Sequence, residues 1–407
     1  MSHDLRTSDI IYQEPTRSKN QIQSGWRHPS LRLLGGMVLV AACSTAAPSP
    51  TASPAPAASV APSPSPDPAP TASQIPPPPT QTPTPTQVIT PTSPSQALGD
   101  LAPGETLQLL AEFRIPRSDL GVRMVFSTVR PVLYHTGVRH EIQGFDFEIE
   151  QMVFQIQGFQ DSPQALAVSA EGDPIVAGDG PALGIWDPAT SERIGSLQMP
   201  GIFVPLSAGF VADAAFYADD ESGNIALWET AHWQELARFA YRGRSDGAFV
   251  LPGAEAVVML IRDQRELRVV DWTGQLIRAI PIDAQPWRLH GISPQGDQAV
   301  LHVDVGLGSE GVLITDLAVG DSAIRLPLLN IRAIAVSSDW RTLAIADVAE
   351  VLRLFDPQTG AQYHTQPLEA FQIHGLAISP DGAHLAVYLL REGEEGGWIQ
   401  IWGRGLP

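Results

Sequence analysis

Short runs of alternating apolar and polar residues fill the last three quarters of the chain. Residues 165–198 show the unit, in which four runs of about five residues are separated by turns rich in Gly, Pro, Asp and Ser: ALAVS, PIVAG, LGIWD and RIGSLQ. Such runs are typical of short antiparallel β-strands. No stretch of helical length repeats its apolar residues every 3.6 positions. The pattern therefore predicts an all-β domain.

Two sequence markers recur about every 42 residues. The first is an apolar hexamer that ends at Asp146, Asp187, Glu229, Asp271, Asp316, Asp356 and Gly403. The second is an alternating run, about 20 residues earlier, that ends at Ser127, Ser169, Val211, Leu251, Ser293, Ser337 and Ser379. Because two independent markers share one period, the chain contains a sevenfold repeat. Seven repeats of four strands predict a seven-bladed β-propeller with four-stranded antiparallel blades.

Several third strands end in an aromatic residue, and one turn has a distinctive sequence. These segments are Ile185-Trp186-Asp187, Leu227-Trp228-Glu229, Leu354-Phe355-Asp356, Ile401-Trp402 and the turn Ser379-Pro380-Asp381-Gly382. Through them the repeats resemble those of the WD-repeat family, and the resemblance covers residues 107–407. The chain departs from the family at the Gly-His pair that usually precedes each first strand. Here the order is reversed, as His290-Gly291 and His374-Gly375, and both pairs lie within a first strand.

The seventh repeat stops after its third strand, so its outer strand has to come from elsewhere. The segment 107–115, LQLLAEFRI, alternates between apolar and polar residues with Leu110 as the one exception. We expect this segment to pair with residues 398–403. The final blade would then be closed by the N-terminal strand, which removes an exposed seam.

The N-terminal region has the layout of a secretory signal. Arg27 and Arg32 precede a run of ten apolar or small residues, 33–42, which is too short to span a bilayer. Val40-Ala41-Ala42-Cys43 resembles the lipobox, and this resemblance implies cleavage before Cys43 and lipidation of its sulfur. An ordinary signal peptide or an uncleaved anchor is the alternative. The lone cysteine cannot form an internal disulfide.

A Pro/Ser/Thr/Ala-rich linker follows, and most of the 37 prolines precede residue 100. This composition buries too little apolar surface to order itself, so we expect a disordered N-terminal quarter. As extended polyproline II the linker reaches on the order of 170 Å at most. The predicted organisation is a signal peptide at 1–42, lipidated Cys43 and linker over 43–100, and the propeller over 101–407.

Several motifs that suggest chemistry have structural explanations. Residues 306–311, GLGSEG, match a dinucleotide fingerprint but lie between two strands with no following helix, which favours a hairpin turn. The acidic run 218–224, ADDESGN, does not fit a calcium loop and favours a solvated hairpin tip. His135 and His140 flank a hairpin but lack a third zinc ligand. Trp186, Trp228 and Trp402 are expected to pack between blades. We therefore expect no metal and no cofactor.

The candidate binding face carries the loops between second and third strands together with the connections between blades. It is rich in acidic residues, and the formal net charge of the chain is −19, which argues against nucleic acid as a partner. The hypothesis is that this face prefers a cationic partner, and the alternative is a generic solubilising surface. Trp287 is expected near the channel mouth. The residues predicted to contribute to binding are Asp219, Asp220, Glu221, Trp287, Glu394 and Glu395.

These observations predict a monomeric, membrane-anchored extracytoplasmic lipoprotein at the cell envelope. Its propeller would be a non-catalytic scaffold for a protein or cell-wall partner. No catalytic constellation can be assembled from local motifs, although propeller enzymes draw their catalytic groups from separate blades. The alternatives are a propeller enzyme of the hydrolase, lactonase or quinone-dependent dehydrogenase type, and a carbohydrate-binding module.

Overall fold

The described part of the chain forms seven four-stranded antiparallel sheets. The computed structural model describes residues 97–404 except for 103–104, 119–121, 138–139, 160–161, 173, 200–204, 212–214, 221–222, 241–244, 252, 254, 307–308, 321, 329 and 371. Within these residues, helix is limited to two 3₁₀ turns, Leu98–Asp100 and Arg262–Gln264. The seven-bladed β-propeller predicted from the repeats is confirmed.

Four consecutive strands build each of the first six blades, from the innermost strand outwards. Blade 1 contains β2 (Met124–Phe126), β3 (Val132–Gly137), β4 (Glu141–Asp146) and β5 (Gln151–Gln157). Blade 2 contains β6 (Leu166–Val168), β7 (Ile175–Asp179), β8 (Ala182–Trp186) and β9 (Arg193–Gln198). Blade 3 contains β10 (Pro205–Val211), β11 (Ala215–Asp220), β12 (Asn224–Glu229) and β13 (Glu235–Ala240).

The next three blades repeat the same order. Blade 4 contains β14 (Ser245–Val250), β15 (Ala256–Ile261), β16 (Glu266–Asp271) and β17 (Leu276–Pro281). Blade 5 contains β18 (Gln285–Ile292), β19 (Gln298–Gly306), β20 (Ser309–Asp316) and β21 (Ser322–Pro327). Blade 6 contains β22 (Ile331–Val336), β23 (Leu343–Asp347), β24 (Val351–Phe355) and β25 (Gln362–Pro367).

Blade 7 joins the two ends of the propeller. Its inner three strands are β26 (Gln372–Ile378), β27 (His384–Leu390) and β28 (Gly397–Arg404), and its outer strand is β1 (Leu107–Ile115). Strand β1 pairs antiparallel with β28, with Leu109 opposite Trp402 and Phe113 opposite Ile399. The predicted closure of the last blade by the N-terminal strand is therefore confirmed.

The core consists of seven apolar clusters, each shared by two neighbouring blades of the described structure. Second strands contribute to the clusters on both of their faces, and so β15 is buried along its whole length. Outer strands such as β9 have mostly exposed residues. One cluster joins blade 7 to blade 1 through Ile401 and Leu133, which completes the ring. Burial on both sides explains why the middle strands are continuous apolar runs rather than alternating ones.

Both sequence markers cap turns. Ser293, which is 1% exposed, accepts hydrogen bonds from the backbone N–H groups of Asp297 and Gln298, both at 3.0 Å. The acidic marker Asp271 accepts the N–H groups of Thr273 and Gln275, both at 2.9 Å. The serine closes the turn after a first strand, and the carboxylate closes the turn after a third strand. The period of the sequence is thus the period of these two turns.

Candidate functional site

The two ends of the ring are built from different connections. We call the top face the end that carries the loops between second and third strands, such as 262–265 and 391–396, and the connections between blades. The bottom face is the opposite end, where the serine and acidic markers cap their turns. First strands begin at the top face, so residues at their starts surround the mouth of the central channel there.

Two of the predicted binding residues, Asp219 and Asp220, are buried at the end of β11, with 1% and 0% exposure. Asp219 accepts a hydrogen bond from the N–H of Ser207 at 3.1 Å and another from the Ser207 hydroxyl. Asp220 accepts the N–H and Nδ2 of Asn224 at 3.1 and 2.7 Å. The expectation of a solvated hairpin tip is wrong for these two carboxylates, because they satisfy buried donors of their own blade.

The other acidic candidates have different surroundings. Glu394 accepts the indole N–H of Trp398 at 2.6 Å, and the Trp398 ring lies under the Arg391 guanidinium, 4.5 Å from its centroid. Glu395 is exposed on the same loop. Glu394 therefore belongs to the packing of blade 7, whereas Glu395 faces solvent. Glu221 and Cys43 lie outside the described residues.

Trp287 lies within β18, the inner strand of blade 5, and is partly exposed. Its ring packs edge-on against His302, with centroids 4.7 Å apart and an interplanar angle of 66°. Through this contact the Trp287 indole lies next to the polar side chains that surround His302. Trp287 was expected to precede its first strand but lies within it, and its part in binding near the channel mouth stays a prediction.

Arg123, Arg288 and Asp219 influence one another electrostatically, and we call them the charged cluster. Arg123 directly precedes β2 of blade 1, Arg288 lies on β18 of blade 5, and Asp219 ends β11 of blade 3. The pKa of Arg123 is lowered to about 10, first because the guanidinium is buried and then because Arg288 repels its charge, while attraction by Asp219 opposes the shift. Because no two of these blades are neighbours, their side chains influence one another only across the channel.

Two histidines of blade 5 adjoin this cluster. The pKa of His290 lies well below its ordinary value, first because the ring is buried and then because Arg288, His302 and Arg123 repel its charge. Burial also lowers the pKa of His302, although Glu310 opposes that shift from 3.4 Å away. Both rings are therefore neutral at neutral pH. Glu310 is itself held by the N–H of Ile331 at 2.5 Å.

Sequence patterns alone did not single out the two arginines. Arg123 lies four residues before the marker Ser127, and Arg288 five before Ser293, so an alignment of the repeats places both near the start of a first strand. That alignment cannot show which long side chains reach the axis of the ring. The charges that meet there depend on three blades folding together.

Comparisons with known proteins identify the type of fold. No protein-family model matches the chain, and no curated protein matches it. The chain is similar to the crystal structure of the β-propeller domain of Cps50 (Swd1) from Myceliophteria thermophila, with a TM-score of 0.58 and 14% identity. The match covers 74% of this chain and 100% of that domain. At this identity the likeness shows that the protein has a β-propeller fold, and a propeller fold does not determine function.

Two features are absent from the part of the chain that the structure describes, a membrane-spanning helix and a metal-binding group. In residues 97–404, no helix combines the length and the apolar character needed to cross a bilayer. The same part of the chain holds no group of three or more His, Cys, Asp or Glu side chains placed to bind a metal ion.

Proposed function

We propose that the protein is a lipid-anchored extracytoplasmic scaffold whose propeller binds a positively charged protein through its top face without catalysing a reaction. The observation that supports this most is the combination of a closed ring with exposed carboxylates on that face. Asp263, Glu392 and Glu395 are exposed there and belong to the loops of two blades. Carboxylates on a shared surface attract cationic partners and speed their association.

The closed ring supports a scaffold role because it keeps the loops in fixed positions. Apolar clusters join every pair of neighbouring blades in the described structure, including blades 7 and 1. A partner that binds such a surface loses little free energy to ordering the loops. Rigid propeller faces therefore suit protein recognition.

The proposed anchorage rests on sequence alone. Val40-Ala41-Ala42-Cys43 resembles a lipobox, and the Pro-rich linker after it would separate the propeller from the bilayer. Lipidation at Cys43 would place the scaffold at the outer side of a membrane.

The charge hypothesis is tested with two matched triple variants. Asp263→Lys, Glu392→Lys and Glu395→Lys reverse three exposed charges on the top face. Glu148→Lys, Glu171→Lys and Glu192→Lys reverse three exposed charges on the bottom face and serve as the control. Both variants change the net charge equally, so they separate local recognition from the overall field.

Affinity capture from cell-envelope extract with the full-length chain provides the readout. We expect the wild type and the bottom-face variant to retain the same partner, and the top-face variant to lose it. Equal loss in both variants would assign the attraction to overall charge and would contradict a top-face site.

A propeller enzyme is the second candidate, and the polar cluster at the channel mouth is the observation that favours it. Yet within the described residues no Ser, Thr or Cys side chain hydrogen-bonds to His290 or His302. The cluster thus lacks the hydroxyl–imidazole pair of acyl transfer. Saturable hydrolysis of simple esters or lactones that Arg123→Met abolishes would favour the enzyme instead.

A further inference from the structure

We propose that β5, the outer strand of blade 1, pairs with β5 of a second copy of this chain, so that two propellers form a dimer through a shared sheet. The strand lies on the circumference of the ring, away from the top-face loops. The inference therefore goes beyond partner binding by the top face and does not depend on it. It replaces the monomer expected from the sequence.

The first step of the argument is that β5 has a free edge. It is the last strand of its sheet, and in the described structure it pairs with β4 alone. Alternate residues of an edge strand point their backbone N–H and C=O groups away from the sheet, where another strand can pair with them. The outer strands of all seven blades share this feature, so the edge alone does not select β5.

The second step is that β5 lacks the residues that block pairing at the other outer edges. Charged side chains and prolines keep exposed strand edges from joining. Each of the other six outer strands contains at least one such residue: Arg114 in β1, Arg193 in β9, Arg238 in β13, Arg278 in β17, Arg325 in β21 and Pro367 in β25. The sequence of β5, QMVFQIQ, contains neither a charge nor a proline. It is therefore the one outer strand that is open to pairing.

The third step is the surface beside that edge. Met152 is 45% exposed and Val153 is 47% exposed. The neighbouring carboxylate of Glu141 on β4 is buried, and the side-chain amides of Gln155 and Gln157 donate to it at 3.0 and 3.4 Å. The edge thus presents apolar side chains without an exposed charge, and covering such a surface with another chain is favourable.

The fourth step is that the strand is complementary to itself. Antiparallel pairing about Gln155 brings Phe154 of each copy opposite Ile156 of the other, and apolar pairs of this kind stabilise a sheet. The next pair joins Val153 to Gln157. No charge meets another charge in this arrangement, although each chain has a formal net charge of −19. A charged peptide would find no counter-charge on β5, so the neutral strand of a second copy fits best.

The two-fold arrangement agrees with the closed symmetry of most homo-oligomers, and strand addition at a sheet edge is a common mode of recognition. One added strand buries less surface than the total of about 1,200–2,000 Å² that is typical of stable interfaces. We therefore expect a reversible dimer rather than a permanent one.

Sedimentation equilibrium of the full-length protein in detergent tests the proposal. We expect a monomer–dimer equilibrium in which the dimer fraction rises with protein concentration. Amide exchange in the same samples should slow in residues 151–157 as the dimer forms, because the free N–H groups of β5 become hydrogen-bonded. Exchange in the outer strand β9, residues 193–198, should stay unchanged.

Two matched variants assign the dimer to β5. Val153→Lys puts a charge at the paired edge of each copy and should weaken the dimer by about tenfold or more, because pairing desolvates that charge. The control, Ile194→Lys, makes the same change in charge on β9, where Ile194 is 59% exposed, and should leave the dimer unchanged.

A wild type that stays monomeric at every concentration would overturn the proposal. So would equal weakening by the two variants, since that result would assign association to overall charge. Slowed exchange in residues 151–157 only when the captured partner is present would assign the edge to a foreign strand and would also overturn it. The exchange measurement uses the wild type, so it decides the question even where a variant folds poorly.

Discussion

At the scale of single residues, the repeat exists because the turns need particular side chains. A buried serine such as Ser337 accepts a hydrogen bond from the N–H of Thr342 at 2.9 Å. Ser379 likewise accepts one from the N–H of His384 at 2.8 Å. Carboxylates such as those of Asp316 and Asp356 accept hydrogen bonds from the N–H groups two residues further along the chain, at 2.6 and 2.8 Å. Short polar side chains serve such turns well because they mimic a backbone acceptor. These serine and acidic markers therefore have a structural role in their turns.

Replacing one of these serines should measurably destabilise the propeller. Ser293→Ala leaves two partly buried N–H groups without their acceptor, and we expect a loss of about 1–2 kcal/mol in the free energy of unfolding. Urea denaturation measures this loss as a lower midpoint at an unchanged slope.

The control for that substitution is Ser196→Ala on the exposed strand β9, where the hydroxyl accepts only from the exposed Arg193. It should change the midpoint little. Equal effects of the two substitutions would show that the serine marker does not stabilise its turn.

The buried histidine of β3 should make folding depend on pH. Burial lowers the pKa of His135 to about 4, against an ordinary value of about 6.5 in the unfolded chain. Between these values the unfolded state binds a proton that the folded state does not, so stability falls as the pH falls from about 6.5 to about 4.

His135→Phe removes this proton linkage. Relative to the variant, the wild type should lose about 1.5–2 kcal/mol of unfolding free energy between about pH 7 and about pH 5. Urea titrations at each pH give the difference, and His232→Phe at an exposed ring serves as the control. A wild-type loss no larger than that of His135→Phe would show that His135 does not contribute to the acid sensitivity.

At the scale of elements, the closing strand shows what a sequence pattern can predict and what it cannot. Alternation in residues 107–115 was enough to predict β1 and its pairing with β28. Leu110, the one residue that breaks the alternation, lies where the register shifts between Leu109 and Ala111. A β-bulge explains such a break, because one extra residue changes the side to which its neighbours point.

Side chains that meet across blades were not predictable in the same way. The pattern marked Asp219 as polar and near a turn, but its burial depends on Ser207 of the adjoining strand. Likewise, the electrostatic influence of Arg288 on Arg123 exists only because the closed ring holds blades 1 and 5 around one axis. Local periodicity encodes strands and turns, whereas the electrostatics of the channel depend on the closed ring.

The closing strand should depend on one carboxylate. Glu112 of β1 accepts Gln400 Nε2 at 2.7 Å and forms an ion pair with Arg391. Glu112→Gln removes the charge that Arg391 needs, and we expect a loss of about 1–2 kcal/mol in a site that is only partly exposed. Amide exchange should quicken in residues 107–115 and 397–404.

The exposed residue Glu395 offers a control of the same chemistry. Glu395→Gln should leave both exchange rates and stability unchanged. If Glu112→Gln also left exchange in β1 unchanged, the ion pair would have no part in closing the ring.

At the scale of the whole molecule, one chain combines an acidic propeller with a proposed anchor. The proposed lipid on Cys43 would hold the acidic surface beside a membrane, and the linker would set how far it extends. Cys43→Ser should release the protein from the membrane fraction, because no other residue in the signal can form the thioether. Metabolic labelling with palmitate checks this, and label retained by the variant would contradict lipidation at Cys43.

Hydrogen–deuterium exchange of the full-length protein, with and without its captured partner, tests the scaffold proposal most directly. We expect the partner to slow exchange in the top-face loops at 262–265 and 391–396 and to leave the turns after Ser293 and Asp271 unaffected. Slowed exchange confined to those bottom-face turns, or to outer strands such as β9 and β17, would contradict the proposed binding face.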